Sequence, residues 1–360
     1  MEKAHPLAGV SRAERAGLGA VIGLTVLAGI ARYVSGISSV VAFVVAGIAL
    51  GGVAWAMSFA TEQVGNRFGT SVTGMLQSTL GNLPEFFVVI FALSVGDQVV
   101  AQTAILGSIL VNALLVLGLV ILVGSLRAPD HVMRFSPRLP NDTATLLLVS
   151  SFIILLVGLA DSTHDAASHH IRVISVVSAC AILVVYGVWL HQYLTTPAAG
   201  EDRPETPRVS TAIGLALLVA CGVLSAFISS WFVHALEPSI KTLGISRSFA
   251  GLVIVATAGN AVEHAVGVVL AYRGRSELAI SVVKNSVAQI AAFLYPLLVL
   301  VSLLTATALT FALAPVYIGA LLGTAVIIWQ ITGDGEATPF EGAALIAAFI
   351  SLAIVAGFGT

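Results

Sequence analysis

Along this chain apolar residues run in long unbroken stretches separated by short polar connections. A spanning β-barrel would instead show alternating segments of about 10 residues. A helix needs about 20 apolar residues to cross a bilayer, and eleven runs meet that need. They lie at about 16–34, 39–60, 70–95, 99–125, 143–160, 171–194, 210–235, 247–272, 277–303, 306–331 and 340–359. Lys3, Arg12 and Arg15 precede the first run and resemble the basic region of a signal peptide. The run is long for one and no small-residue cleavage site follows, so a retained first helix is expected.

Composition narrows the class. Apolar residues make up 58% of the 360 and charged residues 9%, against roughly 25% charged in a soluble domain. Soluble enzymes and nucleic-acid binders are excluded on that ground, and a net charge of −2 leaves no basic footprint. Cys180 and Cys221 sit in apolar runs as packing residues and build no disulfide framework. The expected fold is an all-α polytopic membrane protein of about 11 transmembrane helices. Its expected partner on this ground is the lipid bilayer; a homo-oligomer stays open.

The distribution of basic residues gives an orientation. With a cytoplasmic N-terminus, 11 of the 16 Lys and Arg fall in inside connections, four outside, and Lys284 falls within a span. An odd number of spans then places Thr360 outside. Residues 195–209, rich in Pro, Thr and charge, read as a cytoplasmic linker. Residues 127–142 form a second cytoplasmic loop. Residues 161–170, with three His and two Asp, read as a solvated outer loop, weak metal binding being the alternative.

One internal repeat stands out. Gly81-Asn82-Leu83-Pro84-Glu85 matches Gly259-Asn260-Ala261-Val262-Glu263 at a constant offset of 178 residues. The predicted organisation is an extra N-terminal helix (1–38), a first five-helix repeat (39–194), the linker (195–209) and a second five-helix repeat (210–360). Five spans per half force opposite orientations, the inverted-repeat arrangement of secondary transporters, whose ion site lies at the midplane. Gly107-Ser108-Ile109-Leu110-Val111-Asn112 in the fourth span and Asn285-Ser286-Val287-Ala288-Gln289 in the ninth extend the parallel with looser spacing.

A Glu inside a span costs on the order of 3 kcal/mol on insertion scales, so Glu85 and Glu263 are expected to face the bundle interior. Asn82 and Asn260 each precede a Glu by three residues and share its helical face. Gly81 and Pro84 weaken the third span; the eighth has Gly259 but no Pro, so a break there rests on less. Two carboxylates with amide oxygens are hard donors that suit Ca²⁺ better than softer metals. Two like charges in a dehydrated site cannot both stay ionised without a cation. Protons and a divalent ion therefore compete, and competition with alternating access is antiport. Gln289, Ser286, Asn112 and Ser108 are further candidates for cation or proton binding, with interhelical hydrogen bonds as the competing use. His264 suits either a proton relay or an interhelical contact.

At these residues the sequence resembles the calcium/cation antiporter superfamily, in its cation/proton exchanger branch. GNLPEF and GNAVEH are similar to the family's paired G-N-A-x-E-[LH] motifs, and Thr61-Glu62-Gln63, Gly107 to Asn112 and Ser286 to Ile290 fit the surrounding pattern. The resemblance implies Ca²⁺/H⁺ exchange, with Glu85 and Glu263 as the central carriers and metal ligands and Asn82, Asn260, Ser286 and Gln289 as auxiliary ligands. Na⁺(K⁺)/H⁺ antiport on the same fold is the alternative. No cofactor is implied, and no H-E-x-x-H or G-x-S-x-G enzyme signature occurs. A bacterial plasma membrane is the expected location.

Three departures from the family pattern matter: Leu83 replaces a small residue, the acidic segment between the halves shrinks to Glu201, Asp202 and Glu205, and Lys284-Asn285 stands where small apolar residues and a Gly are usual. If Lys284 pairs with Glu263, it cancels a negative charge and favours a monovalent ion. If it lies on the other face, it snorkels to the cytoplasmic edge, the expected orientation.

Overall fold

The computed structural model describes residues 10–65, 76, 79–195 and 208–359. The linker expected at 195–209 and the start of the third span at 70 fall largely outside them. The described chain is nearly all helix. In chain order the helices are α1 (Arg12–Tyr33), α2 (Ser39–Gly65), α3 (Leu83–Ser94), α4 (Gln98–Arg127), α5 (Arg138–Ser162), α6 (Ile171–Thr195), α7 (Thr211–Leu243), α8 (Arg247–Gly259), α9 (Ala261–Tyr272), α10 (Ser276–Leu304), α11 (Pro315–Thr332) and α12 (Pro339–Gly357). Two short strands, β1 (Met133–Arg134) and β2 (Glu336–Ala337), pair antiparallel.

Among the described residues nine helical stretches are long and apolar enough to cross a membrane. The pair α8–α9, bent by 63°, makes a tenth if taken as one span, and Thr79–Ser94 is a shorter apolar helix. Two expected boundaries need correction. The seventh span runs on through Pro238 to Leu243. The tenth begins at Pro315, not 306. Residues 305–314 are apolar but not helical, because side chains hold their backbone. Ser302 Oγ accepts from Leu309 N at 2.8 Å, Tyr295 OH donates to Thr310 O at 3.0 Å, and Ser175 Oγ accepts from Phe311 N at 3.1 Å.

The chain divides into two compact units, each drawing on both halves of the sequence. The first comprises Met1–Phe91, Leu190–Gly244 and Ala258–Val262. Here α1, α2 and α7 pack together. Phe43 of α2 stacks on Phe232 of α7 with centroids 4.6 Å apart, and Gly47 makes the room, since a Cβ there would stand 3.3 Å from that ring. Ile22, Val26, Leu27 and Ile30 of α1 are exposed, an apolar face that lipid covers at no desolvation cost. At one end of this unit Arg208 bonds Glu14 of α1 and reaches Glu62 of α2 at 3.0 Å, while its backbone N–H donates to Gln63 at 2.8 Å. Burial disfavours the guanidinium charge, but Glu14 and Glu62 outweigh it and hold Arg208 above its ordinary value.

The second unit comprises Ala92–Trp189, Ile245–Thr257 and Glu263–Thr360. At its centre α4 is buried on every side from Thr103 to Leu114. Glycines permit the close crossings. A Cβ on Gly107 would overlap the Leu252 carbonyl of α8, and one on Gly118 would stand 2.8 Å from the Gly342 carbonyl of α12. At one end the β1–β2 pair ties the connections together. Arg134 bonds Asp130 at 2.6 Å and Glu336 at 3.1 Å, Ser136 N donates to Glu277 at 2.6 Å, and Arg127 donates to the Tyr272 carbonyl at 3.2 Å. The Arg134 hydrogen bond holds the Asp130 carboxyl below its usual range. The layout read from the sequence puts these three connections on one side.

Candidate functional site

Both motif helices break at the same place. Residues 79–81 are helical, Asn82 is a turn, and α3 begins at Leu83; α8 ends at Gly259, Asn260 is a turn, and α9 begins at Ala261. The eighth span, for which the sequence offered weaker evidence, is thus broken as the third is. The helices restarting after each break, Leu83–Ser94 and Ala261–Tyr272, are both 12 residues long and start 178 residues apart. The same offset relates the starts of α4 and α10 at Gln98 and Ser276, and the positive-φ turns at Gly96 and Gly274.

Each Glu therefore sits in the first turn of a restarted helix, where unpaired backbone N–H groups and the positive end of the helix dipole favour negative charge. In the first unit Glu85 is 6% exposed, and Asn82 and Asn260 are 3% exposed each. The Asn260 amide donates to Glu85 Oε1. A Cβ on Gly259 would stand 2.7 Å from Glu85 Cγ, so only glycine leaves space for this carboxylate. Asn82 Oδ1 is buried without a hydrogen-bond partner among the described residues. Ser229 of α7 donates to the Pro84 carbonyl at 3.2 Å and anchors the start of α3.

In the second unit Glu263 ends a chain of three side chains. Ser286 of α10 donates to Glu263 Oε2 at 2.7 Å, and the Asn112 amide of α4 donates to Ser286 Oγ at 3.3 Å. Asn112 Oδ1 is buried and has no partner among the described residues. A buried acceptor without a donor is costly, and a cation would satisfy it. Ser108 lies one turn before Asn112 and is buried, and Gln289 is fully buried at the end of the α-helical part of α10.

Both helices then widen into π-helical turns, Val111–Val116 in α4 and Ile290–Leu294 in α10. Such turns often accompany functional sites. A third, Ala250–Val255, precedes the break in α8.

The remaining candidates separate. His264 is half-buried, and its Nε2 is buried with no partner among the described residues. Lys284 overturns the snorkelling expectation. It is 0% exposed, and its Nζ donates to Thr332 Oγ1 at 3.2 Å. Nor does it form an ion pair with Glu263. Thr332, 48 residues away in sequence, could not be read as its partner from the sequence. Asn285, also unassigned there, is buried with Oδ1 lacking a partner among the described residues. The outer loop at 161–170 gathers no metal site: among the described residues no group of three or more His, Cys, Asp or Glu could hold a metal ion.

Comparison with known proteins places this geometry. The family model described as sodium/calcium exchanger protein matches residues 38–192 and 213–358. A Ca(2+)/H(+) antiporter of Synechocystis is 30% identical over 338 residues, covering 87% of this chain and 89% of the relative. The Ca(2+)/H(+) antiporter ChaA of Bacillus subtilis is 29% identical over 304 residues, covering 83% and 86%. The solved structure of native YfkE matches with a TM-score of 0.79 at 26% identity, covering 95% of this chain and 99% of that one.

Proposed function

The chain belongs to the sodium/calcium exchanger protein family, and from that premise we propose that it is a secondary transporter exchanging Ca²⁺ for H⁺ by alternating access. Relatives named as Ca(2+)/H(+) antiporters support the choice of ions. The observation that carries the reading is the pair of broken helices. Each places one Glu in the first turn after a turn at Asn, and each Glu is hydrogen-bonded within its own unit, to Asn260 or to Ser286.

Glu85 and Glu263 are the two groups that take either a proton or a share of the cation. Electroneutral exchange moves one Ca²⁺ against two H⁺, because two carboxylates carry two charges. Asn82 and Asn260 offer neutral oxygens in the unit that holds Glu85, and Asn112, Ser286, Ser108 and Gln289 in the unit that holds Glu263, the hard donors Ca²⁺ prefers. The five-span repeats lie inverted to one another, and the excess of basic residues in the inner connections sets the N-terminus on the cytoplasmic side.

Lys284 bonds Thr332 rather than Glu263, so both carboxylates keep their charge for a divalent ion. That favours Ca²⁺ over Na⁺ or K⁺. The test is an imposed pH gradient across everted membrane vesicles holding the protein. Added Ca²⁺ should dissipate the gradient. Dissipation by Na⁺ or K⁺ and not by Ca²⁺ would replace the reading with monovalent exchange.

A further inference from the structure

Besides the serine that meets Glu263, α10 carries a polar row. Glu277, Ser281, Asn285 and Gln289 follow one another at intervals of four, and residues four apart share a helix face. Exposure falls along the row. Glu277 is exposed, Ser281 half-buried, Asn285 9% exposed and Gln289 0%. Twelve residues of helix rise about 18 Å, a little over half of the roughly 30 Å hydrocarbon core. The row thus leads from the end of the span to the depth of Ser286, which bonds Glu263. Seen down the helix axis, Gln289 lies about 60° from Ser286 and Asn285 about 100°, so the row flanks that contact.

Packing does not call for these groups. At the repeat offset α4 has Val99, Thr103, Gly107 and Val111. Thr103 donates to the Val99 carbonyl of its own helix at 2.7 Å, and Gly107 has no room for a side chain. On α10 the corresponding place holds a carboxamide. Its Oδ1 is buried with no partner among the described residues, a costly state unless a polar ligand reaches it.

We infer that Glu277, Ser281, Asn285 and Gln289 line the route by which the cation reaches the Glu263 half-site from the end where α10 begins, the cytoplasmic end in the orientation proposed above. Asn285 is its decisive member. It offers a neutral, hard oxygen of the kind Ca²⁺ takes, at a depth that bulk water does not reach. This rests on the exchange reading above.

The test uses everted vesicles holding the full chain, which present the cytoplasmic face to the medium. Asn285→Ala should raise half-saturating Ca²⁺ about tenfold, the loss of one polar contact to a charged ligand. Asn285→Asp, which keeps the oxygen, should hold or lower it. Independently, Ser281→Cys and Asn285→Cys should react with a membrane-impermeant thiol reagent, and Ca²⁺ should slow the reaction. Val283→Cys, on the opposite side of α10, should not react, and wild type with Cys180 and Cys221 gives the background. An Asn285→Cys protein that reacts no faster than Val283→Cys would overturn the inference, as would unchanged half-saturation in Asn285→Ala. Absence of Ca²⁺ flux in wild type, with the labelling intact, would overturn the exchange reading instead.

Discussion

Gly259→Ala tests how tightly the first unit holds its carboxylate. The new Cβ would stand 2.7 Å from Glu85 Cγ and 3.1 Å from Oε1. Carbon atoms prefer roughly 3.5–4.0 Å, so the overlap is about 1 Å. Neither atom is the free end of a side chain swinging in open space, since Glu85 is 6% exposed. Relief comes from turning Glu85 off its rotamer at about 1 kcal/mol. It also forfeits the Asn260 hydrogen bond, worth about 1.5–3 kcal/mol to a charged acceptor. The sum, roughly 3 kcal/mol, corresponds to about a hundredfold loss of competent sites. The assay is Ca²⁺-dependent proton release from proteoliposomes, with thermal unfolding in detergent as the folding control. Gly23→Ala is the matched control, because a Cβ there meets nothing within 4 Å. The reasoning predicts a large loss of transport in Gly259→Ala with a folded protein, and none in Gly23→Ala. Wild-type affinity and rate in Gly259→Ala would refute it.

Three further outcomes are expected. Ser286→Ala removes the 2.7 Å donor to Glu263 and the acceptor of the Asn112 amide; half-saturating Ca²⁺ should rise about tenfold or more, and Ser286→Thr should recover most of it. Gly107→Ala drives a methyl into the Leu252 carbonyl, and detergent unfolding should show a loss of about 1–3 kcal/mol or more. Asp130 is depressed chiefly by its Arg134 hydrogen bond; its contribution is present above the ordinary carboxylate range and fades as pH falls through the lower folded value. Protection of Phe135 N, bonded to the Gly335 carbonyl at 2.9 Å, should therefore fall at acid pH when its exchange rate is taken relative to an unstructured amide at the same pH. Asp130→Asn should remove that dependence.

How much was legible in the sequence depended on whether a feature was local. The apolar runs and the repeated G-N-x-x-E frame are properties of contiguous residues, and they located Glu85 and Glu263 on helices that restart 178 residues apart. The pairing of Ser286 with Glu263 was anticipated only as a candidate, since its register depends on how α10 meets α9. Residues 305–314 show where hydropathy fails. Apolar composition suits helix and extended chain alike, and three distant hydroxyls, not propensity, decide for the latter. Lys284 failed for a similar reason. Counting residues from the span's start made snorkelling look easy, but the acceptor came from the end of another helix. The π-helical turns following Leu110 and Gln289 left no readable signal, because they reflect how neighbouring helices crowd α4 and α10.

The central claim is that Glu85 and Glu263 both carry the exchanged ions. Its most direct test is ⁴⁵Ca²⁺ uptake, driven by an imposed proton gradient, into proteoliposomes holding wild type, Glu85→Gln or Glu263→Gln. Glutamine keeps the shape and hydrogen bonding of each site while removing the exchangeable charge. Uptake in wild type, with both variants folded and inactive, is the predicted result. Gradient-driven uptake in either variant would remove that carboxylate from the exchange and contradict the account.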